Sequence, residues 1–253
     1  MTIFFAMFGL GILLGFVGAG GAGIVIAILT TVFSVPIHTA MGTSLSAMIF
    51  TALSGAFSHF REENIEARIG AAIGIFGAVG AFVGAKIAVL LPANDLKWLT
   101  AGMMFLSGIL FFIRLFFASK GIFARLEPES APIGFRFWAA ACGLGIVTGI
   151  LSGTFGIGAT PFIQIGLLVF FGMSIRQAAG TTMFIILPIA LLAGLGFLTA
   201  GYLNAVLLLK VTMGLMFGSY IGAKFTNRLP LPVLKTAMIT MPFLAGFLLL
   251  WGP

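Results

Sequence analysis

The chain has 253 residues, 60% of them hydrophobic and 8% charged, with a mean hydropathy of +1.22. A soluble domain cannot bury that much apolar side chain, so the composition excludes a water-soluble enzyme or binding module and makes lipid the main solvent. The net charge of +7 is scattered with no basic run, which excludes a nucleic-acid surface and reads instead as membrane orientation.

Residues 1–17 lack the basic start and small-residue cleavage pattern of a signal peptide, so they read as the first membrane segment. Glycines 15, 18, 20, 21 and 23 then interrupt an otherwise continuous apolar run. Each interior glycine costs a helix roughly 1 kcal/mol relative to alanine, so this cluster marks a helix break. Backbone freed there must face protein or a water-filled cavity, because lipid cannot satisfy it. Pro36 follows, and Gly42-Thr43-Ser44 lies within the next apolar run. The single cysteine, Cys142, stands among small residues and excludes an internal disulfide or a cysteine-rich metal site.

The chain repeats itself at an offset of 138 residues. Gly42-Thr43-Ser44 returns as Gly180-Thr181-Thr182, Gly84-Ala85-Lys86 as Gly222-Ala223-Lys224, and Leu91-Pro92 as Leu229-Pro230. Gly15, Gly18 and Gly20 return as Gly153, Gly156 and Gly158. Apolar runs place five segments in each half, at 2–17, 22–34, 38–59, 66–91 and 94–117, then 133–153, 158–172, 175–199, 202–228 and 231–251. The second of each half is short of the ~20 residues a span needs, so it is a tilted short span or half of a re-entrant hairpin. The expected organisation is a first repeat over 1–117, a cytoplasmic linker over 118–132 and a second repeat over 133–253. Basic residues at the linker (Lys120, Arg125), near residue 64 (Arg61, Arg68) and around 224–235 (Lys224, Arg228, Lys235) share one side only if each half crosses an odd number of times. The sequence therefore predicts an all-α integral membrane protein of two inverted repeats, with Gly-broken helices meeting near the midplane.

The chemistry follows from those breaks. The runs around Gly18, Gly20 and Gly21 and around Gly156 and Gly158 each precede a segment whose first N–H groups are unpaired and carry a partial positive charge. Pro161 suits a first helical turn. Bare N–H groups at a helix start make a site for a small oxyanion; close glycine packing between helices is the competing reading. The hydroxyls of Thr43, Ser44, Thr181 and Thr182 could donate to the same ligand or back-bond to the carbonyl four residues earlier. His38 and Arg176 occupy matching positions, one predicted at each face, where each could attract an anion or snorkel to headgroups. Lys210, about eight residues into its segment, is an ionisable group inside a span and hence a candidate for neutralising a bound anion or titrating during transport; reaching an interface is its other reading. The six carboxylates all fall in connections or at segment ends, so no buried one is available to hold sodium or relay protons. That favours an anionic substrate.

The duplicated halves, the Gly-rich break followed by Val35-Pro36 and Gly42-Thr43-Ser44, and the second-half Gly153–Pro161 and Gly180-Thr181-Thr182 resemble the sulfite exporter TauE/SafE family over essentially the whole chain. The chain departs from the usual pattern at Ala19 and Ala22, and at Ser174-Ile175-Arg176 in place of the Val-Pro step. The resemblance implies a permease for sulfur-containing anions such as sulfite, sulfonates or sulfoacetate, in a prokaryotic cell membrane, with direction of transport open. A carrier with alternating access is the leading reading and an anion channel the alternative. An enzyme is disfavoured, because no Gly-x-Ser-x-Gly step, His-Glu-x-x-His pair or carboxylate dyad is present. No cofactor or metal is expected. The partners are a small sulfur anion and the bilayer, with a second copy of the chain (a homodimer) left open.

Overall fold

The computed structural model describes residues 2–17, 21–117, 134–226 and 231–251. Gly18, Gly20 and the linker 118–132 lie outside them. The described elements are helices throughout: α1 (Thr2–Val17), α2 (Ala22–Thr31), α3 (Ile37–Arg61), α4 (Ala67–Leu90), α5 (Ala93–Phe117), α6 (Phe135–Phe155), α7 (Thr160–Phe171), α8 (Ile175–Thr199), α9 (Ala205–Thr226) and α10 (Leu231–Trp251). Their limits follow from local chemistry. Pro36 precedes α3, and Leu91, next to Pro92, turns extended and ends α4. α8 opens on a capping box in which Ser174 and Gln177 satisfy each other's backbone N–H groups.

Among the described residues, α3, α4, α5, α6 and α8 are long and apolar enough to cross a membrane. With 10 and 12 residues, α2 and α7 reach only about 15–18 Å, half of a hydrocarbon core, so neither crosses alone. Large apolar side chains such as Phe57, Ile75, Trp138, Leu209 and Phe247 face outward, as a lipid-solvated surface requires.

Helices in lipid gain little from burying apolar surface and associate instead through close packing at small residues. α4 packs on α6 through facing glycines: a Cβ on Gly80 would stand 2.5 Å from the Ile146 carbonyl, and one on Gly149 would collide with the Gly77 carbonyl. α1 packs on α9 in the same manner, with Gly218 against the Phe8 carbonyl and Gly11 against the Leu215 carbonyl. Each contact has its counterpart at the 138-residue offset: Phe8 corresponds to Ile146, Gly218 to Gly80, Gly11 to Gly149 and Leu215 to Gly77. The duplication in sequence is therefore also a duplication of interface, and each copy joins one helix from either half. Gly153 belongs to this seam. It sits inside α6 against the Ala81 carbonyl, so close packing accounts for it and the break begins three residues later.

A candidate anion site at two interrupted helices

The second break is built by left-handed backbone. Gly156 (φ 72°) caps α6 and donates its N–H to the Ser152 carbonyl at 2.8 Å. Gly158 (φ 73°) and Ala159 (φ 47°) continue the excursion, and α7 starts at Thr160-Pro161. An alanine at φ 47° is strained, and here it is fully buried. Side chains from the other half close over the break. A Cβ on Gly156 would meet Ile26 of α2 at 2.7 Å and Met41 of α3 at 3.0 Å, and one on Gly158 would collide with the Met48 thioether.

The first break delivers the chain to Gly21, the residue that caps α2. Gly21, Gly23 and Ile24 at the start of α2 line one small chamber with Ile157 of the second break and Pro161 in the first turn of α7. Ser107, Met104 and Phe111 of α5 and Met241 and Pro242 of α10 complete the chamber, whose volume is about 50 Å³. Ser107 is 5% exposed, and its buried hydroxyl has no hydrogen-bond partner among the described residues.

Gly21 also borders a larger cavity of about 360 Å³ between α2, α3 and α9. Its wall carries Ser44, Met48 and Thr51 on one side and Leu215, Ser219 and Tyr220 on the other. It reaches the surface past Ser54 and Tyr220, both exposed. Among the described residues no charged side chain lines either cavity. The corresponding seam between α8 and α4 is shut. There Gly74 meets Pro188 and Gly77 meets Ile189, with hypothetical Cβ contacts of 2.9 and 2.7 Å. The residues explain the asymmetry. Where α4 offers Gly77, Ala78 and Ala81, α9 offers Leu215, Met216 and Ser219 at the matching positions, and the bulkier set holds α3 off α9.

The four predicted hydroxyls have separate fates. Ser44 lines the larger cavity and donates to the Ala22 carbonyl at 2.9 Å, tying α3 to the first turn of α2. Thr182 back-bonds to the Ala178 carbonyl at 2.6 Å. Thr181 accepts from the Glu66 N–H at 3.1 Å and so caps the start of α4. Its counterpart Thr43 is equally buried and has no partner among the described residues. Gly42 and Gly180 let these helices approach matching connections, at the Tyr202 and Asn64 carbonyls.

The predicted cations stay outside both cavities. Arg176, at the start of α8, and Lys210, five residues into α9, are exposed. His38 is buried: its Nε2–H donates to the Ala88 and Leu91 carbonyls at 3.1 and 3.2 Å, and its ring stacks on Tyr202. It braces the end of α4. Ser107 is a chamber-lining residue that motif reading did not single out. A signal existed, since Thr100, Met104, Ser107 and Phe111 repeat at helical spacing and form the buried stripe of α5, in which a serine is out of place.

Comparison with known proteins agrees with this architecture. A probable membrane transporter protein of Bacillus subtilis, YdhB, is 53% identical over 251 residues, covering 99% of this chain and all of the relative. A second from the same organism, YunE, is 26% identical across 96% of this chain and 95% of its own length. MJ0441 of Methanocaldococcus jannaschii, another probable membrane transporter protein, is 24% identical over 87% of this chain and 83% of its own length. No solved structure matches. The family profile described as Sulfite exporter TauE/SafE matches residues 3–249. This chain is therefore a membrane transporter protein of the sulfite exporter TauE/SafE family.

Proposed function

We propose that the protein is a secondary transporter for small sulfur-containing anions, such as sulfite, sulfonates or sulfoacetate, working by alternating access around one central site. The observation that carries this reading is the chamber walled by the starts of both α2 and α7. Each helix start contributes about half a positive charge through its unpaired N–H groups, so two of them suit one anionic group without any cationic side chain. The described glycines of both breaks (Gly21; Gly156 and Gly158) keep that backbone free of side chains, and Ser44 holds α2 in place beside it. Thr43, Thr181 and Thr182 line neither cavity and are assigned to the packing of α3 and α8 rather than to contact with the anion. Arg176 and Lys210 are assigned to attracting anions at the surface, since neither lines a cavity.

The larger cavity is the route of access from one side, and the closed α4–α8 seam supports a carrier over a continuous pore. In this reading the halves 1–117 and 133–253 are inverted in a prokaryotic inner membrane and joined by a cytoplasmic linker. Flux into vesicles reconstituted with the purified chain tests it. Uptake of labelled sulfite or sulfoacetate should saturate and accelerate when the same anion is preloaded inside. Uptake that stays linear with concentration and passes steady current would favour the channel and contradict the carrier.

A further inference from the structure

We propose that Ser107 is the side-chain donor for the anionic group held between the starts of α2 and α7, and that this group is a compact monoanion. Both parts rest on the anion-transporter reading above. The Ser107 hydroxyl is buried and unpartnered, and its residue lines the chamber onto which both helix starts open. A buried hydroxyl without a partner is costly and uncommon, and in a native protein it calls for a ligand or a water at that position. The chamber is large enough to supply one. A single water needs about 10–15 Å³ of such space, so the ~50 Å³ here admits a group of three or four heavy atoms. The walls contributed by Met104, Phe111 and Met241 are apolar and offer an ion no hydrogen bonds in place of its hydration shell. A second full negative charge would be left uncompensated, because the helix starts together supply about one positive charge and, among the described residues, no lysine, arginine or histidine lines the chamber.

The repeat strengthens the assignment. The counterpart of Ser107 is Ala245, fully buried on α10, so the serine is not a requirement of the duplicated fold. Among the described residues five other buried hydroxyls, those of Thr43, Thr100, Ser152, Thr160 and Thr212, are also unpartnered but belong to residues that line neither cavity. They serve as internal controls.

The test is calorimetric titration of the purified full chain with sulfite, methanesulfonate and sulfate, alongside melting curves without ligand. The wild-type chain should bind sulfite at a pH favouring its monoanion, or methanesulfonate, more tightly than the sulfate dianion. Ser107→Ala should raise the Kd roughly tenfold or more, the loss of one hydrogen bond to an ion. Its unliganded melting temperature should be unchanged or higher, because the hydroxyl has no partner to lose. Thr100→Ala and Thr212→Ala should leave the Kd where it was. Binding by Ser107→Ala equal to wild type overturns the assignment, and so does a fall in its unliganded melting temperature. Tighter binding of sulfate overturns the monoanion part. Failure of the wild-type chain to bind any of the three overturns the transporter reading on which the proposal rests.

Discussion

At the scale of single residues, the paired threonines separate a structural hydroxyl from an idle one. Thr181 accepts from the Glu66 N–H, whereas Thr43, at the matching position, is fully buried with no partner. Thr181→Val removes an acceptor and leaves a backbone donor unpaired, so it should lower stability by about 1 kcal/mol. Thr43→Val replaces an unpartnered hydroxyl by a methyl of similar size and should be neutral or stabilising. Melting curves of the two variants in one detergent give the comparison. A Thr43→Val protein less stable than Thr181→Val would mean that Thr43 holds a partner of its own. Sequence alone treats these two residues as equivalent; the difference arises because Glu66 and its counterpart Asn204 start helices packed at different distances. His38 shows the same limit. Its matched position with Arg176 suggested an entrance cation, but its partners are carbonyls 50 and 53 residues away, and no local pattern announces such contacts.

At the scale of elements, most of the architecture was legible. The segments expected at 22–34, 158–172 and 202–228 are realised as Ala22–Thr31, Thr160–Phe171 and Ala205–Thr226. Glycine clusters and prolines give strong boundary signals, and an apolar run bounded by them has few alternatives in lipid. What was harder to read is the division of labour among glycines. Gly153 lies inside α6 at the α4 seam, whereas Gly156 and Gly158 form the turn. Both uses favour glycine, and only the three-dimensional neighbour tells them apart. Substitution makes the distinction measurable. Gly149→Val and Gly218→Val should each destabilise by about 1–3 kcal/mol, because a side chain there meets backbone of the facing helix. Gly143→Ala, with open space around its Cβ position, should stabilise by about 0.5–1 kcal/mol. Thermal unfolding in detergent reads all three, and equal effects at the three positions would contradict the packing described here.

At the scale of the whole molecule, the duplicated interfaces α1–α9 and α4–α6 form two matched seams, while the clefts between them differ. The cleft between α8 and α4 is closed by glycine and alanine, and that between α3 and α9 is propped open by leucine, methionine and serine. The offset of the repeat was visible in the sequence; which cleft would open was not, since it depends on side-chain bulk at facing positions of distant helices. The account comes down to an anion held where α2 and α7 begin. The most direct measurement is an experimental structure of the chain with selenite, whose selenium scatters anomalously and marks where a sulfite-like anion sits. The account predicts one anomalous peak inside the chamber, within hydrogen-bonding reach of the Ser107 hydroxyl and the first-turn N–H groups of α2 or α7. A peak confined to the larger cavity or to exposed cations such as Lys210 would contradict it.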